Sequence, residues 1–296
     1  MGKYSLTWTI DDRSMTKDIK SYLAEAGISR RALTDIKFAG GTIKVNGLEK
    51  NVRYKLQMLD KLEVVFPPEE PSVHLQGERI DLSIIYEDRD IMIVNKQAAM
   101  NSIPSQQHPM GSLANAIIYY YQQKDIAAAV HIVTRLDRNT SGLVLIAKHR
   151  HAHHLFSLMQ REHAIIRTYE SFVTGQLKKK SGIIDAPIGR KLDSIIEREV
   201  RADGKRAVTS YRLVHQYNDF AHLKLQLETG RTHQIRVHMN YIGYPMLGDN
   251  LYGGDSEIIS RQALHCSKLQ FIHPLTKKEM ILTADLPLDM QKLIVK

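Results

Sequence analysis

Cysteine is nearly absent from this chain: Cys266 is the single one among 296 residues. An internal disulfide framework is excluded, and a lone thiol fits a reducing cytoplasm. Long apolar runs are missing too, so no stretch is suited to span a membrane. The opening segment Met1–Arg13 is mixed polar and carries Asp11 and Asp12, unlike the charged-then-apolar layout of a secretory signal. There is no phosphate-binding glycine loop, no dinucleotide fingerprint and no zinc spacing. His151, His153, His154 and His163 lie close in sequence. On a helix, however, His153 and His154 point in different directions, and no thiol or carboxylate pair completes a tetrahedral set. The expectation is a chain without metal or other cofactor, and no internal repeat is evident.

What is present is base in excess. Lys and Arg number 41 against 32 Asp and Glu, for a net charge of +9. That balance favours an anionic partner, nucleic acid first and a membrane surface second. Apolar residues make up 43% of the chain, enough for a sizeable core and for two domains at this length.

Residues 1–66 form a small module. Ser14 can cap a helix with Ile19, Tyr22, Leu23 and Ala26 on one face, ended by Gly27. Ser29 can cap a second helix carrying Arg30, Arg31, Ala32, Leu33 and Ile36. Ile43–Val45, the turn pair Asn46-Gly47 and Leu62–Phe66 suggest a small sheet. Pro67-Pro68-Glu69-Glu70-Pro71 opens a semi-rigid linker over 67–79, and the second domain covers 80–296. There, Ile84–Tyr86 and Ile91–Val94 flank an acidic surface turn, and Gly111–Lys124 and His151–Glu162 have helical periodicity. Ala221, Leu223, Leu225 and Leu227 alternate with His222, Lys224, Gln226 and Glu228, as in a half-solvated strand. Thr232 can cap a helix that sets His233 and Arg236 side by side. Hairpin-connected strands with a few helices predict a mixed, largely antiparallel α+β domain.

The chain is organised around His131–Lys148. Two apolar segments, Val130–Val133 and Leu143–Ala147, flank a polar knot containing Arg135, Asp137, Arg138, Asn139, Thr140, Ser141 and Gly142. Short apolar runs bounded by turn residues read as buried strands, so the knot lies at the edge of a core. A carboxylate there is partly desolvated, and a nearby arginine can keep it charged. A hairpin with a solvated, charged tip fits the same pattern.

Three blocks together resemble the RluA family of RNA pseudouridine synthases. They are Arg135-Leu136-Asp137 with Thr140-Ser141-Gly142-Leu143; Gly230-Arg231-Thr232-His233-Gln234-Ile235-Arg236-Val237-His238; and Tyr86-Glu87-Asp88 through Val94-Asn95-Lys96 to Met100. The resemblance covers about Ile80 to the C-terminus. It implies that uridine in RNA is isomerised to pseudouridine without a cofactor. It makes Asp137 the catalytic carboxylate, ionised despite burial because Arg236 neutralises it. Tyr169 packs against a flipped-out base, and Arg135 holds phosphate or the space that base leaves. Arg138, Arg231, His233, Asn95 and Lys96 are the further RNA contacts. Residues 1–66 resemble an S-four-like RNA-binding domain, whose Arg30, Arg31 and Lys37 would meet phosphate. The sequence departs from the family pattern at Thr134, where histidine is common. It departs again at Gln97 and Ala99, which replace proline and glycine, and at Cys266, where a small residue is usual. Thr134 implies that its position is not the essential acid or base.

The resemblance points to structured RNA as partner, large-subunit ribosomal RNA or transfer RNA, for a monomer in the cytoplasm. Two rivals are a non-catalytic RNA-binding or ribosome-assembly factor on the same fold and a glycoside hydrolase. The first has no need of a buried carboxylate, which repels phosphate. The second needs two acids flanking one bond, and the only other acids in the motifs, Glu87 and Asp88, read as a surface turn.

Overall fold

The computed structural model describes residues 4–69 and 75–294. The N-terminal module is a four-stranded antiparallel sheet, in the order β1 (Ser5–Thr9), β4 (Lys61–Val65), β2 (Thr42–Val45), β3 (Leu48–Glu49). Helices α1 (Ile19–Glu25) and α2 (Arg30–Phe38) complete it, and Ile19, Leu23, Ile36, Leu62 and Val64 form its core. Ser29 caps α2 as its position predicts, accepting from Ala32 N. Ser14 does not cap α1. That helix starts at Asp18, whose carboxylate accepts from Ser21 N at 2.8 Å, because the backbone of Thr16–Ile19 is tied to Tyr54 and Leu56 and cannot wind earlier.

The second domain is built on a ten-stranded sheet. Its strands are β5 (Ile84–Glu87), β6 (Ile91–Lys96), β7 (His131–Ile132), β8 (Ser141–Ala147), β9 (Ile166–Thr174), β10 (Ser181–Asp185), β13 (Val208–Gln216), β14 (Phe220–Leu227), β15 (Leu264–Ile272) and β16 (Glu279–Thr283), and β11 (Ile188–Arg190) pairs with β12 (Arg198–Val200) apart from it. The path runs β10-β13-β14-β9-β15-β8-β6-β5, with β7 beside β8 and β16 beside β15. Among the described residues the pairs of this sheet are antiparallel except β8 with β15, as the α+β expectation has it. Every residue of β8 is buried, which is why its sequence is a continuous apolar run rather than an alternation. Helices α3 (Leu113–Gln123), α4 (Arg150–Arg161) and α5 (Gln234–Tyr241) pack around the sheet. The polar face of β14 is less open than its alternation predicts. His222 is buried, stacked on Phe172 at 4.6 Å and bonded to Glu170 at 2.8 Å, because Phe220, Leu247, Ile259 and Leu293 form a second apolar layer there.

The linker expectation over 67–79 falls partly on residues 70–74, outside the described residues. Around it the module is packed onto the second domain. Tyr4 stacks on His149 at 3.8 Å and lies under Arg89 at 4.6 Å. Glu69 accepts from Arg150 N at 2.7 Å and meets His131 at 2.6 Å. Asp35 of α2 pairs with Arg150 at 2.8 Å. Within this seam His151 is buried beside Phe66, with neither ring nitrogen hydrogen-bonded. Burial pushes its pKa down to about 4. The unfolded chain then binds the proton first, so the stability due to neutral His151 is complete above about pH 6.5 and is lost as pH falls toward 4. We predict that His151→Leu removes up to about 3 kcal/mol of the acid destabilisation between pH 6.5 and 4, measured by urea unfolding. An unchanged pH slope would contradict this assignment.

Candidate active site

Asp137 sits on the loop between β7 and β8, and that loop is fastened along its whole length. Ser102 Oγ donates to Leu136 O at 2.9 Å and accepts from Leu136 N at 3.1 Å. Lys96 Nζ donates to Arg138 O at 3.2 Å, Arg261 to Asn139 O at 3.0 Å, and Thr140 N to Asp137 O at 3.1 Å. Thr134 Oγ1 accepts from Leu145 N at 2.9 Å, so its hydroxyl is committed to backbone. Gly142 begins the descent into the sheet with φ +113°, and a Cβ there would collide with the Cys266 backbone. Only glycine allows both that conformation and the close parallel approach of β8 to β15. These bonds fix the direction of Asp137, which faces a cleft of about 1060 Å³ lined also by Arg135, Arg167, Tyr169, Arg231 and His233. Its side chain is 28% exposed. The carboxylate stands at the cleft wall rather than deep in the core.

Helix α5 brings the cation. Arg236 NH1 lies 3.5 Å from Asp137 Oδ2. The same guanidinium makes a tighter fork with Asp249, Nε to Oδ2 at 2.7 Å and NH2 to Oδ1 at 2.8 Å, and lies 4.9 Å from the ring centre of Tyr252. Burial opposes its charge, but the bonds and charge of Asp249, then the charge of Asp137, outweigh it and raise its pKa. A buried fork of this kind fixes the guanidinium plane and leaves one N–H edge for the cleft. Tyr169 is buried on β9, and burial raises its pKa, keeping the phenol protonated. His233 has its pKa lowered by burial, with the charge of Asp137 opposing, and its Nδ1 bonds Tyr252 Oη at 2.9 Å.

One group of possible metal ligands occurs among the described residues: Asp88, Asp90 and His273, with ligand atoms within 4.8 Å of one another. His273 Nδ1 accepts from Leu275 N and Thr276 N. The proton therefore sits on Nε2, which lies 3.3 Å from Asp88 without a hydrogen bond and offers no lone pair to a metal.

The family model described as RNA pseudouridylate synthase matches residues 90–241, which hold Asp137, Tyr169 and Arg236. An RNA pseudouridine synthase of Bacillus subtilis, YjbO, is 51% identical over 276 residues, covering 93% of this chain and 98% of that protein. The chain belongs to the RNA pseudouridine synthase family. Ribosomal large subunit pseudouridine synthase D of Haemophilus ducreyi is 36% identical over 268 residues, covering 85% of this chain and 82% of that one. Among solved structures, human RNA pseudouridylate synthase domain containing 4 shares the fold, with a TM-score of 0.58 at 20% identity over 71% of this chain and 90% of that one.

In this pseudouridine synthase the loop and helix motifs converge. Arg135, Asp137, Arg138, Tyr169, Arg231, His233 and Arg236 line one cleft. Asn95 and Lys96 do not. Lys96 is 1% exposed, and its ammonium is aimed inward at the carbonyls of Gln97, Met100 and Arg138. Burial pushes its pKa down to about 7, with the charge of Asp137 opposing. It fastens the Asp137 loop instead of meeting phosphate. Arg30 and Arg31 lie on α2 of the module, outside the cleft. Thr232 caps nothing: His233 occupies the N-cap with φ 58° and makes no side-chain capping bond, and Gln234 ties the turn by accepting from Thr229 Oγ1 and Arg231 N. Glu87 and Asp88 are not a free surface turn either, since they hold Tyr120, Lys148 and Tyr86. The sequence reading missed the fork residue Asp249 and the loop fasteners Ser102 and Arg261. The only signal for Asp249 was its place, with Tyr252, in a glycine-rich stretch.

Proposed function

We propose that the enzyme isomerises uridines of large-subunit ribosomal RNA, with Asp137 as its catalytic carboxylate acting on a nucleotide swung out of its stack. One observation carries this reading: a carboxylate on a fastened loop faces an open cleft, 3.5 Å from a guanidinium that Asp249 already holds. In the reaction the bond from ribose C1′ to ring N1 breaks and a bond from C1′ to C5 forms. The proton on C5 leaves and N1 gains one, so nothing is consumed. Asp137 serves at the sugar, either by attacking C1′ or by removing the neighbouring ribose proton. Arg236 stabilises the carboxylate it faces. Tyr169, which lines the cleft, takes one face of the base, and its phenol, kept protonated by burial, assists the closing proton transfer. Arg135 occupies the gap in the stack or a phosphate beside it. The ribosomal substrate is supported by the name of the Haemophilus relative and by the basic module.

The test is tritium release from transcripts labelled at uridine C5, one of large-subunit ribosomal RNA and one of transfer RNA. Release from the ribosomal transcript alone is expected. Release from transfer RNA alone overturns the substrate, and release from neither overturns the proposal.

A further inference from the structure

We propose that the N-terminal module and the catalytic domain form one fixed RNA-binding body. A single double-helical stem lies across α2 and the cleft together, and the docking seam sets how far from the target uridine that stem is gripped. This rests on the RNA-isomerase reading above.

The two ends of the surface are joined by one helix. The first residue of α4, Arg150, pairs with Asp35 of α2 and, through Nε, with Glu69 at 3.1 Å. Its middle carries Leu155, against which the turn between α1 and α2 is packed: a Cβ added at Gly27 would sit 2.8 Å from Leu155 Cδ2. Its last turn, Gln160 and Arg161, lines the catalytic cleft. Ten residues at 1.5 Å each separate the Arg150 contact with α2 from Gln160 at the cleft by roughly 15 Å, the axial length of about four to five base pairs. The seam is closed a second time on the sheet side, where Arg89 covers Tyr4 and bonds Ser5 O.

Next to this seam α2 presents a basic face that also exposes Thr34 and Phe38. Asp35 points to the catalytic domain, while Arg30, Arg31, Lys37 and Phe38 are exposed, Phe38 at 76%. At 100° per residue these four span about a third of the helix surface, and Asp35 lies at its border. Arg30, Arg31 and Lys37 have no acidic partner among the described residues. Uncompensated cations beside a rigid seam, with Arg161, Arg167 and Arg231 at the other end, fit phosphates of a stem that continues from the target loop. Such contacts position without reading sequence.

The test uses two fluorescein-labelled RNA hairpins with the same loop, one with 4 base pairs and one with 14, titrated against the full chain across salt concentrations. The longer hairpin is expected to bind at least about tenfold more tightly, with a log K against log salt slope steeper by about two to three, for three cations at about 0.7 to 0.9 each. Arg30→Ala/Arg31→Ala/Lys37→Ala should reduce the long hairpin to the short one's affinity and slope. Asp35→Ala/Glu69→Ala/Arg89→Ala should keep the slope but lose about tenfold of the gain, as a fixed site becomes a tethered one, and should raise the radius of gyration in small-angle scattering. Equal binding of both hairpins by the wild type, an unaffected cation variant, or a seam variant as compact and as tight-binding as wild type would each overturn the proposal. Tritium release by the wild type is scored separately. Its absence beside an intact length step would sink the isomerase reading and leave the composite surface standing.

Discussion

Asp137→Ala is expected to lower uridine isomerisation by about four orders of magnitude or more, with little change in folding or RNA affinity. The side chain is 28% exposed, and the loop that carries it is fastened through backbone atoms of Leu136, Arg138 and Asn139 rather than through the carboxylate. Deleting it leaves Arg236 in its fork with Asp249 and Lys96 on its three carbonyls, so neither buried cation loses its hydrogen bonds, and the stability cost should stay within about 1 kcal/mol. Affinity should hold or rise slightly, because a negative charge is removed from a cleft lined by Arg135, Arg167 and Arg231. Single-turnover tritium release, thermal melting and filter binding on one preparation separate the three effects. A variant that melts far below wild type would show the carboxylate to be a structural anchor.

Arg236→Ala should fail differently, losing stability and rate together. Asp249 is 1% exposed and would be left without its fork partner. Orphaning a buried charge costs about 3–5 kcal/mol, visible as a lower urea midpoint. The rate should fall about 10²–10³-fold, the scale of losing one preorganised electrostatic group. The double variant Arg236→Ala/Asp249→Ala removes both charges. It should recover most of the stability and none of the rate. Recovery of both would mean that Arg236 acts only as a strut; recovery of neither would mean that the fork is not the source of the cost.

Much of this was legible in the sequence because short-range rules and spaced motifs both apply. The run Leu143–Ala147 read as a doubly buried strand, and β8 is one. Asn46-Gly47 read as a hairpin turn, and it joins β2 to β3. The motif residues gathered in one cleft because the parallel pairing of β8 with β15 and the packing of α5 close the sheet around the loop. What failed were features set by partners far along the chain. Ser14 and Thr232 have the right chemistry to cap, but strand-like ties to Tyr54 and Leu56, and the Gln234 side chain, take over those termini. Lys96 looked like an RNA contact because position along a strand does not say which way its end turns; three carbonyls inside the domain claim it. Asp249 and Arg261 lie 112 and 124 residues beyond Asp137 in sequence, too far for local pattern to connect them to it.

The measurement that tests the central claim most directly is a structure of the Asp137→Asn variant bound to substrate RNA. The account predicts one uridine out of its stack, with its ribose C1′ about 3–3.5 Å from the residue 137 side chain, its ring against Tyr169, and Arg236 still forked to Asp249. A uridine that remains stacked, or one lodged in the cleft with its sugar turned away from residue 137, would contradict it.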